Sequence, residues 1–474
     1  MVNRPAIVLI TADELRKDAL GCYGGRAVDT PNVDRLAARS LCFERAYAQS
    51  PWCMPSRCAI LTGLYPHNHG AYSNFRPLRL SPALPNLYNL LRQAGYGTAH
   101  VGKCHYAPVP YQRTRATETL PYDDFREYYL SLGLEHLDLQ DDKQVSVWFS
   151  DDYSRELAAA GHLEAYRAEV WNGRNGKVFA FPGPAEWHPD AWVGSRAAEW
   201  IRAYSDPRPP FVWVSFSGPH FPFDAPSRYL DRVQDSLVGR GAFREGEFDD
   251  PNRMHHRSFH GGGGIEGSGS APGRACKNYP DSYWHALRKA YFANVALIDE
   301  QVGHVLDAVA ERFGADAAVI FTADHGEMLG QHRLWGKNAC AYEDVLNVPL
   351  LACLPGVTAR RESGAQVALI DLLPTCLRLA GASEQAVDGR DLLDVLRDGG
   401  RRYVYSEGEG FVSASDGACK YVRRVARDGS FMEMFDLEAD PGEFVNVVGE
   451  PRYAARRAEL EQAILDLWMG RLLP

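Results

Sequence analysis

Four short runs of mostly apolar, often β-branched residues each lead to a charged or ionisable side chain, and this pattern constrains the fold more than any other feature of the chain. Ala6-Ile7-Val8-Leu9-Ile10 leads to Asp13, Thr98 to Val101 to Lys103 and His105, Phe211 to Phe216 to His220, and Ala317 to Thr322 to Asp324 and His325. A continuous apolar run of this length is the pattern of a strand buried on both faces of a parallel sheet. Polar residues just past the C-terminal ends of such strands gather on one edge of the sheet, where open α/β folds bind ligands. The sequence therefore predicts an α/β protein whose central sheet is mostly parallel and carries a polar site along one edge.

Helical segments alternate with these runs. Thr30-Pro31 opens one with a cap and an early proline, Leu84 to Ala94 has helical spacing, and Ser282 to Arg312 forms a long amphipathic stretch with Tyr291, Val295, Ile298, Val302 and Val305 as its apolar stripe. Val348 to Leu354 reads as a further buried strand and Ile370 to Leu379 as a helix beside it. Near residue 390 the texture changes. Tyr403 to Ser406, Cys419 to Arg423 and Phe431 to Phe435 are short strand-like segments between turn residues, and Glu459 to Leu472 is an amphipathic helix. The expected division is a large domain over 1–390 and a smaller C-terminal subdomain over 391–474, with an antiparallel sheet and a terminal helix.

The stretch from Met254 to Arg274 is rich in glycine and serine and reads as a mobile surface loop. His255, His256 and His260 beside it could bind a metal, but a solvated loop is favoured because ligation needs a fixed backbone. Two readings of Pro108 to His188 stay open, a wall of the substrate pocket or a plain surface insertion.

A hydrophobic fraction of 45% in 474 residues, with 24% charged, allows a sizeable core and argues against a mostly disordered chain. The net charge of −10 argues against a general binder of nucleic acid or anionic membrane, although an anionic substrate responds only to the local field of a pocket. Ten cysteines without CxxC spacing indicate neither a zinc ribbon nor a small disulfide scaffold. The first apolar run, five residues long, is too short for a signal-peptide core or a membrane span, so the chain reads as cytoplasmic.

Chemistry concentrates in Cys53-Met54-Pro55-Ser56-Arg57, followed by Leu61-Thr62-Gly63. Pro55 suits the first turn of a helix, and Arg57 would lie one turn beyond Cys53. Taken singly, Cys53 reads as a buried core thiol, Lys103 and Lys337 as surface charges and His325 as an ordinary histidine. The whole string, however, resembles the signature of the formylglycine-dependent sulfatase family, and the resemblance covers the chain apart from about 108–190 and 225–280. It implies an alkaline-phosphatase-like α/β fold and a sulfuric ester hydrolase. In such an enzyme Cys53 is oxidised to an aldehyde by a formylglycine-generating enzyme, and the hydrated aldehyde is the nucleophile.

The resemblance also implies the roles of the other residues. Asp13 and Glu14 match the first metal-binding acidic pair and Asp324 and His325 the second, with position 53 completing the set around one divalent ion. Carboxylate oxygens suit calcium first, with manganese or magnesium as alternatives. Glu14 stands where many members have Asp, and His325 where some have Asn. Arg57 would hold the nucleophile, Lys103 the sulfate oxygens, and His105 would take the proton that releases sulfate. On an extended backbone Lys103 and His105, two apart, would point the same way. His220 and Lys337 would contact the bridging oxygen.

The implied partner is a small sulfated molecule such as choline sulfate, an alkyl or aryl sulfate, or a sugar sulfate. Nucleic acid and membrane are not expected as partners, and a homo-oligomer stays open. The alternatives are a phosphonate monoester or phosphodiester hydrolase of the same superfamily, whose members tend to carry neutral hydroxyl-bearing residues at the Lys103 and His105 positions, and a catalytically silent anion-binding homologue.

Overall fold

Apolar β-branched residues pack well on a pleated surface, and here they build an eight-stranded sheet. Its strands are β1 (Ile7–Asp13), β2 (Leu41–Tyr47), β3 (Gly97–Gly102), β4 (His136–Leu139), β5 (Pro210–Pro219), β6 (Ala318–Ala323), β7 (Asn347–Cys353) and β8 (Arg361–Ala368). The computed structural model describes residues 4–74, 78–108, 120–173, 178–260, 276–337, 340–357, 360–426 and 429–470.

The spatial order is β8-β2-β7-β6-β1-β5-β3-β4. Strand β1 lies in the middle, parallel to both neighbours, with Ile7 opposite Phe211 of β5 and Ala318 of β6. Every residue of β1, β5 and β6 is buried, which is why these strands read as unbroken apolar runs. The Val348–Leu354 run is β7, and it alone runs antiparallel to its neighbours β2 and β6. The mostly parallel sheet is as expected. Strands β2, β4 and β8 were not anticipated, because exposed Glu44 and Arg45 interrupt β2 while β4 and β8 are edge strands with half-polar sequences.

Helices cover the sheet. Three of them matter for the site: α1 (Cys53–Thr62), α2 (Pro189–Ala203) and α3 (Asp281–Phe313). The predicted stripe of α3 is buried throughout, and the helix packs on α2 and β5. The helix expected over 84–94 starts at Leu87, since the Asn86 side chain accepts from the backbone N–H groups of Tyr88 and Asn89 and caps it there. Helix Pro31–Ala37 forms as expected, but Thr30 makes no side-chain cap. Asp299 of α3 instead accepts from the N–H groups of Asn32 (3.0 Å) and Val33 (2.8 Å).

The C-terminal strands β9 (Val404–Gly408), β10 (Phe411–Ser415), β11 (Cys419–Ala426) and β12 (Gly429–Asp436) form a separate antiparallel sheet in chain order. Strand β10 was missed because Val412-Ser413-Ala414-Ser415 has little apolar bulk. Helix α4 (Ala454–Met469) packs on β10 and β11 and begins five residues before the expected Glu459. The sheet is fastened to the segment between β2 and α1, where Glu407 N–H donates to Gln49 C=O at 2.9 Å and the Ser406 hydroxyl bonds Ala48 C=O, and Lys420 Nζ reaches Glu343 at 3.1 Å.

Residues 261–275, most of the glycine-rich stretch, lie outside the described residues, while His256–His260 forms a short helix. All ten cysteines are free thiols. Among the described residues no helix is long and apolar enough to cross a membrane.

Candidate active site

Strands β6, β1, β5 and β3 are consecutive neighbours, so the polar residues past their C-terminal ends meet. Asp13 ends β1, Lys103 follows β3, His220 follows β5 and Asp324 follows β6. Helix α1 enters from the side and brings Cys53 on its first residue. Its Met54 N–H is capped by the Asn74 side chain at 3.0 Å.

Ligand atoms of Asp13, Cys53, Asp324 and His325 all lie within 4.8 Å of one another. His325 Nε2 stands 3.3 Å from Cys53 Sγ, 3.5 Å from Asp13 Oδ1 and 3.7 Å from Asp324 Oδ1. Its Nδ1 lies 2.9 Å from the Gly326 carbonyl, which fixes the proton on Nδ1 and leaves the Nε2 lone pair facing the cluster. Asp13 Oδ1 is buried without a hydrogen-bond partner. An unsatisfied carboxylate oxygen, a second carboxylate and an aimed imidazole lone pair make a donor set that fits one divalent cation. Glu14 stands apart from this group. Its Oε2 lies 3.2 Å from Lys337 Nζ and 3.5 Å from His220 Nε2, because Glu14 sits at φ +67° where the chain turns out of β1.

Arg57 occupies the layer beneath. Its Nε donates to Asp324 Oδ2 (2.8 Å), and Nη1 donates to the Lys103 carbonyl (2.9 Å) and to Ser215 Oγ (2.6 Å). Lys103 Nζ pairs with Asp13 and, at 2.8 Å, with Asp142. Lys103 and His105 do not share an extended backbone. Strand β3 stops at Gly102, whose φ of +106° belongs to a glycine because a Cβ there would collide with the Ser215 carbonyl oxygen. His105 is also left-handed, φ +52°, so the turn and not alternation brings the two side chains inward. Neither ring nitrogen of His105 has a hydrogen-bond partner.

Burial and close charges set the protonation states. Burial pushes the Cys53 thiol up to about 12, with Asp13 adding to the effect against Lys337 and Lys103, so a cysteine here stays protonated and is a poor nucleophile. Burial would raise Asp13, but Lys103, Lys337 and Arg57 together hold it well below the usual carboxylate range. Asp324 goes the other way, to about 6, through burial and the nearby Asp13. Burial would also discharge Lys103 and Lys337, yet Asp13 and Asp142 keep the first charged, and Glu14 and Asp13 the second. His105, His220 and His325 are all held neutral, by burial first and by neighbouring cations second.

The residues that the resemblance singles out therefore meet here, Glu14 on the Lys337 and His220 side and not among the metal-type donors. His255, His256 and His260 do not: His255 is buried against Tyr342, and the rings of His256 and His260 meet the Phe248 carbonyl at 2.6 and 3.1 Å. Sequence reasoning missed Asp141, Asp142, Ser215 and Asn74. The strand-end rule that found Asp13 applies equally to Asp141 and Asp142, two and three residues past β4, but β4 is too short and too polar to announce itself.

The family model described as Sulfatase matches residues 5–382, and one described as N-sulphoglucosamine sulphohydrolase, C-terminal, matches residues 330–469. An uncharacterized sulfatase of Escherichia coli is 27% identical over 98% of this chain and 87% of its own length. An arylsulfatase of Clostridium perfringens is 27% identical over 99% and 95%. The crystal structure of a phosphonate monoester hydrolase of Agrobacterium radiobacter superposes with a TM-score of 0.80 at 25% identity, covering 98% of this chain and 96% of that one.

Proposed function

Since this chain belongs to the sulfatase family, we propose that it hydrolyses the sulfate monoester of a small molecule to an alcohol and inorganic sulfate, with Cys53 matured to formylglycine as nucleophile. The observation that carries this reading is the meeting of four metal-type donors with Arg57, Lys103 and Lys337 in one buried site. A sulfate ester presents three oxygens that share one negative charge, and binding them out of water demands fixed positive charge.

Asp13, Asp324, His325 and position 53 would hold one divalent cation, Ca2+ in this proposal with Mn2+ and Mg2+ as alternatives, and when bound it supplies charge that polarises the sulfate. Hydrated formylglycine supplies two hydroxyls on one carbon, one to attack sulfur and one to expel the product.

The chain's own residues do the rest. Lys103 and Lys337 neutralise the sulfate oxygens, and Arg57 fixes Asp324 and the Lys103 main chain. His105, neutral and with both ring nitrogens free, takes the proton whose removal releases sulfate. The leaving oxygen needs a proton. His220 Nδ1 is 2.6 Å from the Phe221 carbonyl, so its neutral ring presents a lone pair at Nε2, and Lys337 is the donor. Residues 391–474 serve as a subdomain that braces the segment leading into the Cys53 helix.

Mass spectrometry of the Cys53 peptide tests the maturation, which makes it about 18 Da lighter, and turnover of 4-nitrophenyl sulfate tests the reaction. Full activity in Cys53→Ala, or in protein whose Cys53 is an unmodified thiol, rejects the scheme. The likeness to the Agrobacterium enzyme favours a second reading, hydrolysis of phosphonate monoesters or phosphodiesters. Side-by-side rates on an aryl sulfate and an aryl phosphonate decide between them, and matured protein inert on both is a silent anion binder.

A further inference from the structure

Three consecutive charged residues follow β4, and each faces a different way. Asp141 accepts from the backbone N–H groups of Cys104 (3.1 Å) and His105 (2.9 Å) and from the Tyr129 hydroxyl (2.6 Å), so it shapes the turn that presents His105. Lys143 points away from the site, to Asp224 at 2.7 Å and Asn294 at 2.8 Å. Asp142, between them, turns into the site. Its Oδ2 lies 2.8 Å from Lys103 Nζ, and its Oδ1 accepts from Gln144 N–H at 2.8 Å, which caps the short helix Lys143–Ser146. The side chain is 2% exposed.

One carboxylate oxygen of Asp142, one of Asp13 and a ring nitrogen of His220 lie within 4.8 Å of each other. A fixed negative charge thus stands beside both the sulfate-binding lysine and the leaving-group side. The donor set of Asp13, Cys53, Asp324 and His325 does not use it, and Lys103 already has Asp13 as a counter-ion. For binding an anion, such a charge is a cost. It becomes useful when anions of different charge compete, because repulsion grows with the charge on the ligand.

A sulfate monoester carries one negative charge. Hydrolysis adds water across its S–O bond and yields an alcohol, a proton and inorganic sulfate, which carries two. A phosphate monoester in mildly alkaline solution also carries two. We propose that Asp142 is a specificity-determining residue that sets this site for monoanionic esters and against dianions, so that phosphate monoesters are rejected and inorganic sulfate leaves readily. The inference rests on the sulfate-ester reading above and adds the charge class that the site selects.

The test uses matured, metal-loaded enzyme at pH 8, comparing wild type with Asp142→Asn and Asp142→Glu. Rates (kcat/KM) are measured on 4-nitrophenyl sulfate and 4-nitrophenyl phosphate, together with inhibition by inorganic sulfate. Asp142→Asn keeps the shape and one acceptor oxygen, for Lys103 or for Gln144, but loses the charge. It should raise the phosphate-to-sulfate ratio by on the order of tenfold, the size of one charge–charge term across a shielded site, and tighten inhibition by inorganic sulfate to match. Asp142→Glu, which keeps the charge, should restore the wild-type ratio.

If Asp142→Asn slows both substrates equally and leaves sulfate inhibition unchanged, Asp142 only positions Lys103 and the proposal falls. Should that variant turn over too slowly to assay, calorimetry compares binding of inorganic sulfate, a dianion, with methanesulfonate, a monoanion. A shift toward inorganic sulfate supports the proposal, and an unchanged ratio overturns it. A wild-type enzyme with no turnover of the aryl sulfate rejects the underlying reading instead, whatever the variants do.

Discussion

Replacing Asp224 by Asn should cost this protein about 3 kcal/mol of stability, at the low end of the range for breaking a buried ion pair, because the amide still accepts one hydrogen bond. Asp224 and Lys143 are both fully buried and 2.7 Å apart. The carboxylate also takes the Tyr166 hydroxyl at 2.5 Å and faces His188 Nε2 at 3.3 Å. With its charge removed, Lys143 keeps, among the described residues, only Asp190, at 3.7 Å, as a counter-ion. An unfolding entropy of about 2.1 cal/mol/K per residue makes roughly 1 kcal/mol/K for 474 residues, so Tm should fall by about 3 °C.

The pH dependence of this loss follows from the same contacts. Burial pushes Asp224 up, but the Lys143 charge, with a hydrogen bond from Nε2 of His188 whose Nδ1 accepts from Asp190 N–H, holds it well below its ordinary value. A depressed carboxyl gives stability that is fully present above its unfolded value, about 3.9, and is lost as pH falls toward the folded one. The gap between wild type and variant should therefore stay constant from pH 5 to 8 and close only in stronger acid. Thermal melts followed by circular dichroism across that range provide the measurement. A gap that titrates away between pH 5 and 8 would mean that a histidine, not Lys143, supplies the charge, and the reasoning would be refuted. As a control, Asp224→Leu combined with Lys143→Met should recover most of the loss, since a packed apolar pair often replaces a buried ion pair at little cost.

Gly102→Ala should lower Tm and reduce aryl sulfate turnover at least about tenfold, because the added methyl meets the Ser215 carbonyl oxygen at a φ that L residues rarely adopt; wild-type kinetics would show that the turn does not set Lys103. Ca2+ added to chelator-treated protein at about 100 times its Kd should add about 2.7 kcal/mol of stability, read as a rise in Tm, and Asp13→Asn should abolish the rise; an equal rise in that variant would remove Asp13 from the donor set. His105→Ala should slow turnover by about 10²–10⁴ while inorganic sulfate inhibits within a few-fold of wild type, and unchanged kcat would eliminate it as the base.

How much of this was legible depended on where each residue sits in the sheet. The central strands β1, β5 and β6 are buried on both faces, so their sequences are unbroken apolar runs and the polar residues beyond them stand out. That alone places Asp13, His220, Asp324 and His325 on one edge. The edge strands β4 and β8 face water on one side, and their mixed sequences gave no signal, so Asp141 and Asp142 were lost with β4. Asn74 was unreadable for a different reason, since it acts from a loop. Ser215 lies inside a strand where a serine among apolar residues reads as a tolerated exception. Its partner is Arg57, 158 residues away, and no local pattern encodes that meeting. The Cys53 string was the reverse case: the resemblance it carries is long and specific, whereas the residue types taken singly favoured a buried thiol and an ordinary helix.

The depth of the site explains why each of its cations stands against a carboxylate, Arg57 against Asp324, Lys103 against Asp13 and Asp142, and Lys337 against Glu14. Arg57 and Lys103 are 0% exposed and Lys337 5%, and a buried cation is tolerable only when its desolvation is offset on every side. A side-chain partner can rotate away, but a carbonyl cannot leave the sheet. Arg57 combines both kinds of partner: its guanidinium spans the Asp324 carboxylate past the end of β6, the Lys103 carbonyl past β3 and the Ser215 hydroxyl on β5. Ser215 in turn receives Thr11 of β1 at 3.2 Å, and Thr11 receives the Trp213 indole at 2.8 Å. One side chain from α1 thereby ties the ends of all four central strands into a single layer beneath Cys53. The bond is planar and forked, so it fixes directions as well as distances. Position 53 and Arg57 lie one helical turn apart, and the residue that would carry the nucleophile is thus registered against the metal donors and the lysines by the same turn of helix.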